Sequence, residues 1–576
     1  MKPIPFAYKL RSFAGSLLRG KIRAARESFL KTAGTSCRET QHRILQDLLS
    51  LNSGSAFSRD FGLHPGMSLN EFRNRVPVAD YELIRPYVDR VSKGEHDALL
   101  GQHNRLLMFA VTSGTTAESR LIPVTQRFLN DYRRGWQIWG IGAYSEHDHL
   151  PELNIVQVTS SHRRFATEDG TPCGSISGLV ASMQNPIVRT LYTIPSLLMD
   201  VKSPAVKRHM ILRLALRDPM VGMMITANPS TLLQMMEQAT ADAEHLIREI
   251  HNGGWTTIAD EQPSSTFRQL RPDPLRAREL ETILQQHGKL LPTACWPWLK
   301  LLGVWCGGSC AAYIRRLQEL CHGLPVRDHG LHASEGRMTL PLEDNSPSGV
   351  LEVETHFFEF IPVEEMESSQ PTVLEAHELL EGREYFILLT TSSGLYRYNI
   401  RDVVRCVGFY GSTPLLEFRH KGAHISSITG EKLAESQIVE SVRHAEAATG
   451  VQTRLFTLTP AWGSPPGYIL YVRPVSPGAT TDDWERLVAI VERCLVEQNE
   501  EYGEKRATAR LQPLQIQVLP DEAWEQLHVT RTRRSGGSHE QYKHPCLVPD
   551  PEFQQVFLKA CGIESPGSVT MQKTVL

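Results

Sequence analysis

Short apolar runs that end in a small-residue turn and are followed by apolar residues at helical spacing recur along this 576-residue chain. Leu106 to Val111 runs into a polar turn, after which Phe128, Leu129, Tyr132, Trp136 and Trp139 repeat at helical spacing behind Thr125. Leu299 to Trp305 runs into Gly307-Gly308-Ser309, and Ile314, Leu317 and Leu320 then mark one helix face that closes near Gly323. Strand, turn and helix in that order are the signature of an α/β fold. A chain of this length exceeds what one hydrophobic core organises, so at least two domains are expected.

The texture changes between Glu384 and Phe418. Four short strands are expected there, Tyr385 to Thr390, Leu395 to Ile400, Val403 to Phe409 and Leu415 to Arg419, forming an antiparallel or barrel-like subdomain. Lys421-Gly422 and Thr429-Gly430-Glu431-Lys432 then precede a helix carrying Ile438, Val442 and Ala445, with Gly450 after it. The domain boundary is placed here, giving an N-terminal domain over residues 1–420 and a C-terminal domain over 421–576. In the latter, strands at Leu455 to Thr459, Tyr468 to Arg473 and Leu514 to Leu519 and a helix opened by Asp482 with Glu485 predict a small α+β unit.

With 61 basic and 64 acidic residues, no global field recruits nucleic acid or an anionic membrane, and any partner must be read from local sites. The segment from Met1 to Ala33 is locally basic, with Glu27 its only acid, but it lacks a continuous apolar core, and a helix packed on the domain edge is the plainer account. No run approaches the ~20 apolar residues that span a bilayer. Ten cysteines without a Cys-x-x-Cys pair suggest neither a zinc ribbon nor a disulfide scaffold, so a cytoplasmic protein is expected. A monomer or weak oligomer is the expectation for its assembly, with no residue pattern behind it.

Three segments carry chemistry. Thr112-Ser113-Gly114-Thr115-Thr116-Ala117-Glu118-Ser119-Arg120 is a hydroxyl-rich turn after a strand and before a helix. Its amides and hydroxyls can wrap a polyphosphate, with Arg120 adding a cation. It lacks the Gly-Lys-Ser/Thr ending of a Walker loop. Leu331-His332-Ala333-Ser334-Glu335-Gly336 follows the possible strand Val326 to Gly330 and places a carboxylate, Glu335, where it suits magnesium or a ribose. In Gly394-Leu395-Tyr396-Arg397-Tyr398-Asn399-Ile400-Arg401-Asp402, Asp402 at a turn can accept two hydrogen bonds from a ribose diol. Each has a plainer account: an ordinary turn, a solvated Glu335, and an Asp402 paired with Arg401 or Arg397.

Together and in this order, the three segments resemble the acyl-adenylate-forming superfamily that includes firefly luciferase. The chain is more specifically similar to the Gretchen Hagen family of acyl acid amido synthetases, plant auxin-responsive proteins with bacterial relatives. The similarity runs from about Gln41 to Pro545. It takes in Phe72-Arg73-Asn74-Arg75-Val76-Pro77-Val78-Ala79-Asp80-Tyr81, Cys306-Gly307-Gly308-Ser309, Phe357-Phe358-Glu359-Phe360-Ile361-Pro362, Gly430-Glu431-Lys432-Leu433 and Gln541-Tyr542-Lys543.

That resemblance implies a large N-terminal domain, a small C-terminal lid, and two half-reactions: an acid attacks the α-phosphorus of ATP and expels pyrophosphate, then an amine, commonly an amino acid, displaces AMP. Thr112, Ser113, Gly114, Thr115, Thr116 and Arg120 would hold the phosphates. Gly308, Ser309, Leu331, His332, Ala333, Ser334, Glu335, Tyr396, Asp402 and Arg419 would hold the nucleotide, with Mg2+ at Glu335. Lys543 would neutralise charge between carboxylate and α-phosphate, and Lys432 would serve hinge rotation. For the acid, Tyr132, Arg133 and Trp136 are the candidates on the helix after the phosphate turn. Ala117, Arg120 and Leu331 depart from the superfamily's usual glycine, lysine and aromatic residue, so altered phosphate geometry and weaker nucleotide affinity are expected. Two other readings share the sequence signals: a ligase with a thiol acceptor such as coenzyme A, and a nucleotide-binding relative without chemistry.

Overall fold

The computed structural model describes residues 3–112, 120–159, 161–184, 186–196, 198, 201, 203–227, 229–254, 270–366, 368, 370–422, 425–426, 428, 431, 433–461, 465–475, 478–507, 511–534 and 544–549. They fall into two compact units, and the chain passes from the first to the second between Phe418 and Arg419.

In the first unit, the strands Asn154–Gln157, Val221–Ile225, Leu301–Val304 and Val326–Asp328 lie side by side in that order, all parallel. Their side chains are almost wholly buried, and they read as continuous apolar runs, as strands covered on both faces must. On one face, the helices Pro204–Arg217, Pro229–Ala241, Ala243–Asn252 and Ala311–Leu320 contribute to a common core. On the other lies the helix Gln126–Glu146. Trp139 reaches Gly303 so closely that a Cβ there would stand 3.1 Å from the indole, and the Trp139 ring nitrogen donates to the Asp328 carbonyl at 2.7 Å.

A second sheet pairs Arg120–Thr125 antiparallel with Leu106–Thr112, with Thr112 opposite Arg120. The sequence reading passed from the polar turn straight to a helix; a second strand intervenes. Pro123 removes a ladder donor, and the strand lies at the sheet edge, where proline is tolerated. Thr125 then caps the helix, its hydroxyl accepting from the Phe128 amide at 3.2 Å.

The barrel-like subdomain is an open sheet. Leu374–Glu375, Phe357–Pro362, Glu384–Thr390, Tyr398–Tyr410, Thr413–Lys421, Ser348–Leu351 and Thr339–Leu340 are neighbours in that order, and no closed barrel forms among the described residues. Two expected strands fuse into Tyr398–Tyr410, so Asp402 lies within a strand and not at a turn between two. Arg401 takes φ +59°, and the pairing jumps from Phe386 opposite Val403 to Leu388 opposite Asn399. That bulge lifts Ile400 to Asp402 out of the regular ladder.

In the second unit, Thr453–Ala461 runs antiparallel to Gly467–Pro474, which pairs in parallel with Gln515–Val518. The helix Glu435–Thr449 ends at Gly450 with φ +76°, the left-handed cap that glycine favours. The helix Thr481–Gln498 opens at Thr480, two residues before the expected start. The Thr480 hydroxyl accepts from the Asp483 amide at 3.3 Å, and the Asp483 carboxylate accepts from the Thr480 amide at 2.9 Å. No helix among the described residues is long and apolar enough to cross a membrane.

Candidate active site

Ligands of open parallel sheets gather at the carboxyl ends of the strands. Two of the sequence segments emerge there from adjacent strands, and one buried carboxylate joins them. Asp328, at the end of its strand, accepts from the Cys306 amide at 2.8 Å and from the Gly330 amide at 2.6 Å. Burial pushes its carboxyl up to about 7 against the opposing pull of those two donors. The first loop continues into Gly308, at φ +58°, and the short helical turn Gly308–Cys310.

The second loop is a tight hairpin. His332 bridges Arg337, the Ala333 amide donates to the Gly336 carbonyl at 2.8 Å, and Ser334 and Glu335 form the tip. A Cβ on Gly336 would stand 2.9 Å from the His356 ring, so no side chain fits. Leu331 is buried in the main core, whereas His332, Ala333 and Ser334 are half-buried and Glu335 is 9 % exposed.

The raised Asp328 carboxyl has a pH consequence. Its folded value lies above the ordinary carboxylate value, so its contribution to stability is full below about pH 4 and is lost as pH rises toward 7, with a slope of at most about 1.4 kcal/mol per pH unit. Asp328→Asn keeps one acceptor and cannot titrate. It is expected to destabilise by roughly 1–3 kcal/mol at pH 5, with the gap to wild type shrinking toward pH 7.5. Urea melts at the two pH values measure this; a constant gap would refute it.

The third segment meets the other two through Tyr398 rather than Tyr396. Tyr398 is buried close to Arg120 and in the field of Glu335 and Tyr81, and burial is the main cause of its raised pKa. The Arg120 guanidinium also lies 5.4 Å from the centre of the Tyr81 ring, a cation–π contact. Arg120 and Glu335, 215 positions apart in sequence by their numbers, are thus brought to one tyrosine. Asp402 is buried on the same strand as Tyr398. Tyr396 is instead a core residue, stacked on Phe57 with centroids 5.1 Å apart.

Between the two tyrosines, Arg397 adopts φ +47°. Its guanidinium binds Glu359 at 3.0 Å and the carbonyls of Arg73 and Val76 at 3.0 and 2.7 Å. These bonds from one buried side chain hold a backbone shape that non-glycine residues seldom take.

The acid candidates Tyr132, Arg133 and Trp136 line a cavity of about 420 Å³. Its inner wall is the helix Gln126–Glu146 and the parallel strands at Ile155, Met223 and Ile225, and its outer wall is Gly15, Leu18 and Ile22. The same Tyr132 and Trp136 meet the His332 ring edge-on at 6.2 and 5.9 Å, so one helix separates the cavity from the Glu335 hairpin. Behind Trp136 lies Arg337, fully buried with its guanidinium carbon 4.9 Å from the indole centre. Arg133 is half-buried, and no carboxylate pairs with it among the described residues.

Ser113, Gly114, Thr115, Thr116, Lys432 and Lys543 lie outside the described residues, as do the side chains of Thr112 and Ser309. The neighbours of the two lysines are anchored. Glu431 is buried, bonded to the Tyr468 hydroxyl and accepting from the Ile428 amide at 2.8 Å. The His544 ring lies 2.8 Å from the Thr457 hydroxyl and 3.0 Å from the Phe456 carbonyl. Arg419 lies on the strand Thr413–Lys421.

Asp328 and Arg337 were not singled out from sequence, and Tyr81 and Tyr398 stood there only as members of longer motifs. A buried carboxylate has no sequence signal of its own; Tyr398 had one, since it stands in the same segment as Tyr396.

Indole-3-acetic acid-amido synthetase GH3.8 of Oryza sativa subsp. indica is 26 % identical over 94 % of this chain and 93 % of its own. The corresponding GH3.3 enzyme of Arabidopsis thaliana is 25 % identical over 88 % and 89 %. Among solved structures, the GH3.15 acyl acid amido synthetase superposes with a TM-score of 0.80 at 24 % identity, covering 92 % of this chain and 95 % of its own. A 2-hydroxyisobutyryl-CoA ligase in the postadenylation state shares the fold more distantly, with a TM-score of 0.52 at 14 % identity over 91 % of each chain. The GH3 family N-terminal, central and C-terminal domains match residues 26–326, 349–421 and 436–552 in turn, and the chain belongs to the GH3 family.

Proposed function

We propose that this protein is an ATP-dependent acyl acid amido synthetase: it adenylates a carboxylic acid with release of pyrophosphate, then transfers the acyl group to an amine, an amino acid being the first candidate. The observation that carries this reading is the shared wall, Tyr132 and Trp136, between a large cavity and the hairpin bearing Glu335. An acid held in that cavity has its carboxylate end directed toward the strand-end loops where a nucleotide is held.

The residues fit a nucleoside triphosphate. Arg120 supplies a cation four residues after the stretch Thr112 to Thr116, whose hydroxyls and amides suit phosphate oxygens. Gly336 leaves no room for a side chain at the hairpin, and Asp402 offers a carboxylate for the ribose diol. Magnesium, carried by the triphosphate, would meet Glu335, a hard oxygen donor, and would supply charge neutralisation at the phosphates. His332, whose Nδ1 lies 2.8 Å from the Gly330 carbonyl, is the half-exposed ring assigned to the adenine, since Leu331 is committed to the core. Lys543 is the cation for charge that grows as carboxylate approaches α-phosphorus. Lys432 is the hinge partner between the half-reactions, with residues 1–420 binding ATP and acid and residues 421–576 moving.

Trapping with hydroxylamine tests the first half-reaction: a library of acids with ATP and magnesium should yield hydroxamates and pyrophosphate for the acids that fit. Replacing hydroxylamine by amino acids should give amides with no thiol present. Absence of pyrophosphate release across a broad acid panel would refute the proposal, and products formed only with coenzyme A would move it to a thiol ligase.

A single residue tests the cavity assignment. Gly140 lines it, and a Cβ there meets nothing within 4 Å. Gly140→Leu is expected to place its side chain in the cavity and to favour the helix by about 1 kcal/mol. The KM for bulky acids should rise roughly tenfold, as loss of about 1.4 kcal/mol of binding implies, with the KM for ATP unchanged. An unchanged acid profile would place the acid elsewhere.

A further inference from the structure

The helices Phe6–Ala14 and Ser16–Thr35 meet at Gly15, whose backbone is itself helical (φ −78°, ψ −5°). Its amide donates to the carbonyls of Arg11 and Ser12, both at 3.1 Å, and its own carbonyl accepts from the Arg19 amide at 3.0 Å. The two segments therefore keep one angular register of 100° per residue, and their faces can be compared directly.

The inner face is the outer wall of the cavity, formed by Arg11, Ser12, Gly15, Leu18, Arg19 and Ile22. Arg11 ties it down with bonds to the carbonyls of Thr190 at 2.7 Å and Glu152 at 3.0 Å. The opposite face carries Phe6, Leu10, Phe13 and Leu17, at positions i, i+4, i+7 and i+11, and these side chains are 78, 55, 75 and 83 % exposed. Single exposed leucines are ordinary, but a contiguous stripe of two phenylalanines and two leucines marks a surface that meets something.

Cations frame the stripe. Lys9 stands on one flank and Lys21 on the other, Arg23 and Lys31 are exposed further along, and Glu27 is the only acid between Met1 and Ala33. The stripe also lies before residue 26, outside the residues matched to the family's N-terminal domain.

We propose that this outer face docks on an anionic lipid surface, with the helix lying in the plane of the interface, Phe6, Leu10, Phe13 and Leu17 immersed and the lysines at headgroup level. Apolar immersion and attraction to anionic headgroups are the two contributions that such helices combine, and long basic side chains reach the headgroups while their stems lie along the apolar boundary. A second copy of the chain is the less fitting occupant. A two-fold interface sets a patch against itself, so it would bring two basic helices together with one acid on each.

Docking has a consequence for the substrate, which rests on the assignment of the cavity to the acid. The docked helix is at once the cavity's wall, so an amphiphilic acid dissolved in the bilayer reaches the site across one helix width. Acids with long apolar bodies, which partition into lipid, are the substrate class this arrangement serves.

The test uses the full chain and sedimentation with phosphatidylcholine vesicles prepared with and without phosphatidylserine. Wild type should pellet with the anionic vesicles, bind pure phosphatidylcholine at least tenfold less well, and be released by salt. Phe13→Ser combined with Leu17→Ser should weaken binding at least roughly tenfold, since two apolar side chains leave the lipid. Neither residue lines the cavity, so hydroxamate formation from a short, water-soluble acid should stay at the wild-type rate and report a folded enzyme.

Wild type left in the supernatant with anionic vesicles, or binding that persists in the double variant, overturns the proposal. So does a wild-type dimer that the double variant converts to monomer in sedimentation velocity, which would make the stripe an interface between copies. Vesicle binding needs no turnover, so a failed cavity assignment, read from Gly140→Leu, leaves this test standing.

Discussion

Lys543→Ala is expected to slow acid-dependent pyrophosphate release by a factor of about 10² to 10³, the effect of removing about 3–4 kcal/mol of transition-state stabilisation. The carboxylate and the α-phosphate are both anions, and the charge between them rises as they approach, so a cation acting only at that stage lowers the barrier without tightening ground-state binding. The KM values for ATP and for the acid should therefore change by less than about threefold, while kcat carries the loss. Lys543→Arg keeps the charge but not the compact ammonium and should recover only part of the rate. The second half-reaction separates the roles further: given preformed acyl adenylate, amide formation by the Lys543→Ala variant should proceed near the wild-type rate. A uniform loss in both half-reactions would show that the lysine supports the fold or closure and not the first chemical step.

The parts of the site legible in sequence were those written locally. Strand, small-residue turn and helix occupy consecutive residues, so Cys306-Gly307-Gly308-Ser309 and the Leu331 to Gly336 segment could be placed at strand ends, and they stand at the ends of Leu301–Val304 and Val326–Asp328. Gly450, at φ +76°, closes its helix where the sequence placed the end. What depended on distant pairing was not legible. The strand Arg120–Thr125 exists through its ladder to Leu106–Thr112, and its proline argues locally against any strand.

Tyr396 and Tyr398 would share a face in a regular strand, which is why the first could stand for the second. Arg397 at φ +47° breaks the alternation and sends one tyrosine to Phe57 and the other to Arg120 and Glu335. Asp402 moved from a turn into a strand for a related reason, the bulge at Arg401. The cavity was hardest of all. Its outer wall comes from residues 11–22, its inner wall from Tyr132 to Tyr144 and from strands ending at Ile225, and no spacing in the chain announces that they meet.

Arg337→Met is expected to destabilise the protein by about 3–5 kcal/mol, the usual cost of leaving one partner of a buried ion pair alone. Glu352 is fully buried 3.6 Å from the Arg337 Nε, and neither of its carboxylate oxygens has a hydrogen-bond partner among the described residues. Burial pushes its carboxyl up to about 7 even with the guanidinium present. Without that cation, the folded protein must hold the carboxyl protonated, and the His329 carbonyl loses the donor it has at 2.6 Å. The glycine at 135 exists for this pair, since a Cβ there would stand 2.5 Å from the Arg337 Cδ. Two apolar residues of similar size tolerate the same space, so Arg337→Met combined with Glu352→Met should recover most of the lost stability in urea melts. Activity should not follow. The double variant lacks the cation that lies over Trp136 and fixes the wall shared by cavity and hairpin, so the KM for the acid should remain raised after stability returns. Stability and KM recovering together would reduce Arg337 to a packing residue; stability recovering alone assigns it to positioning the acid.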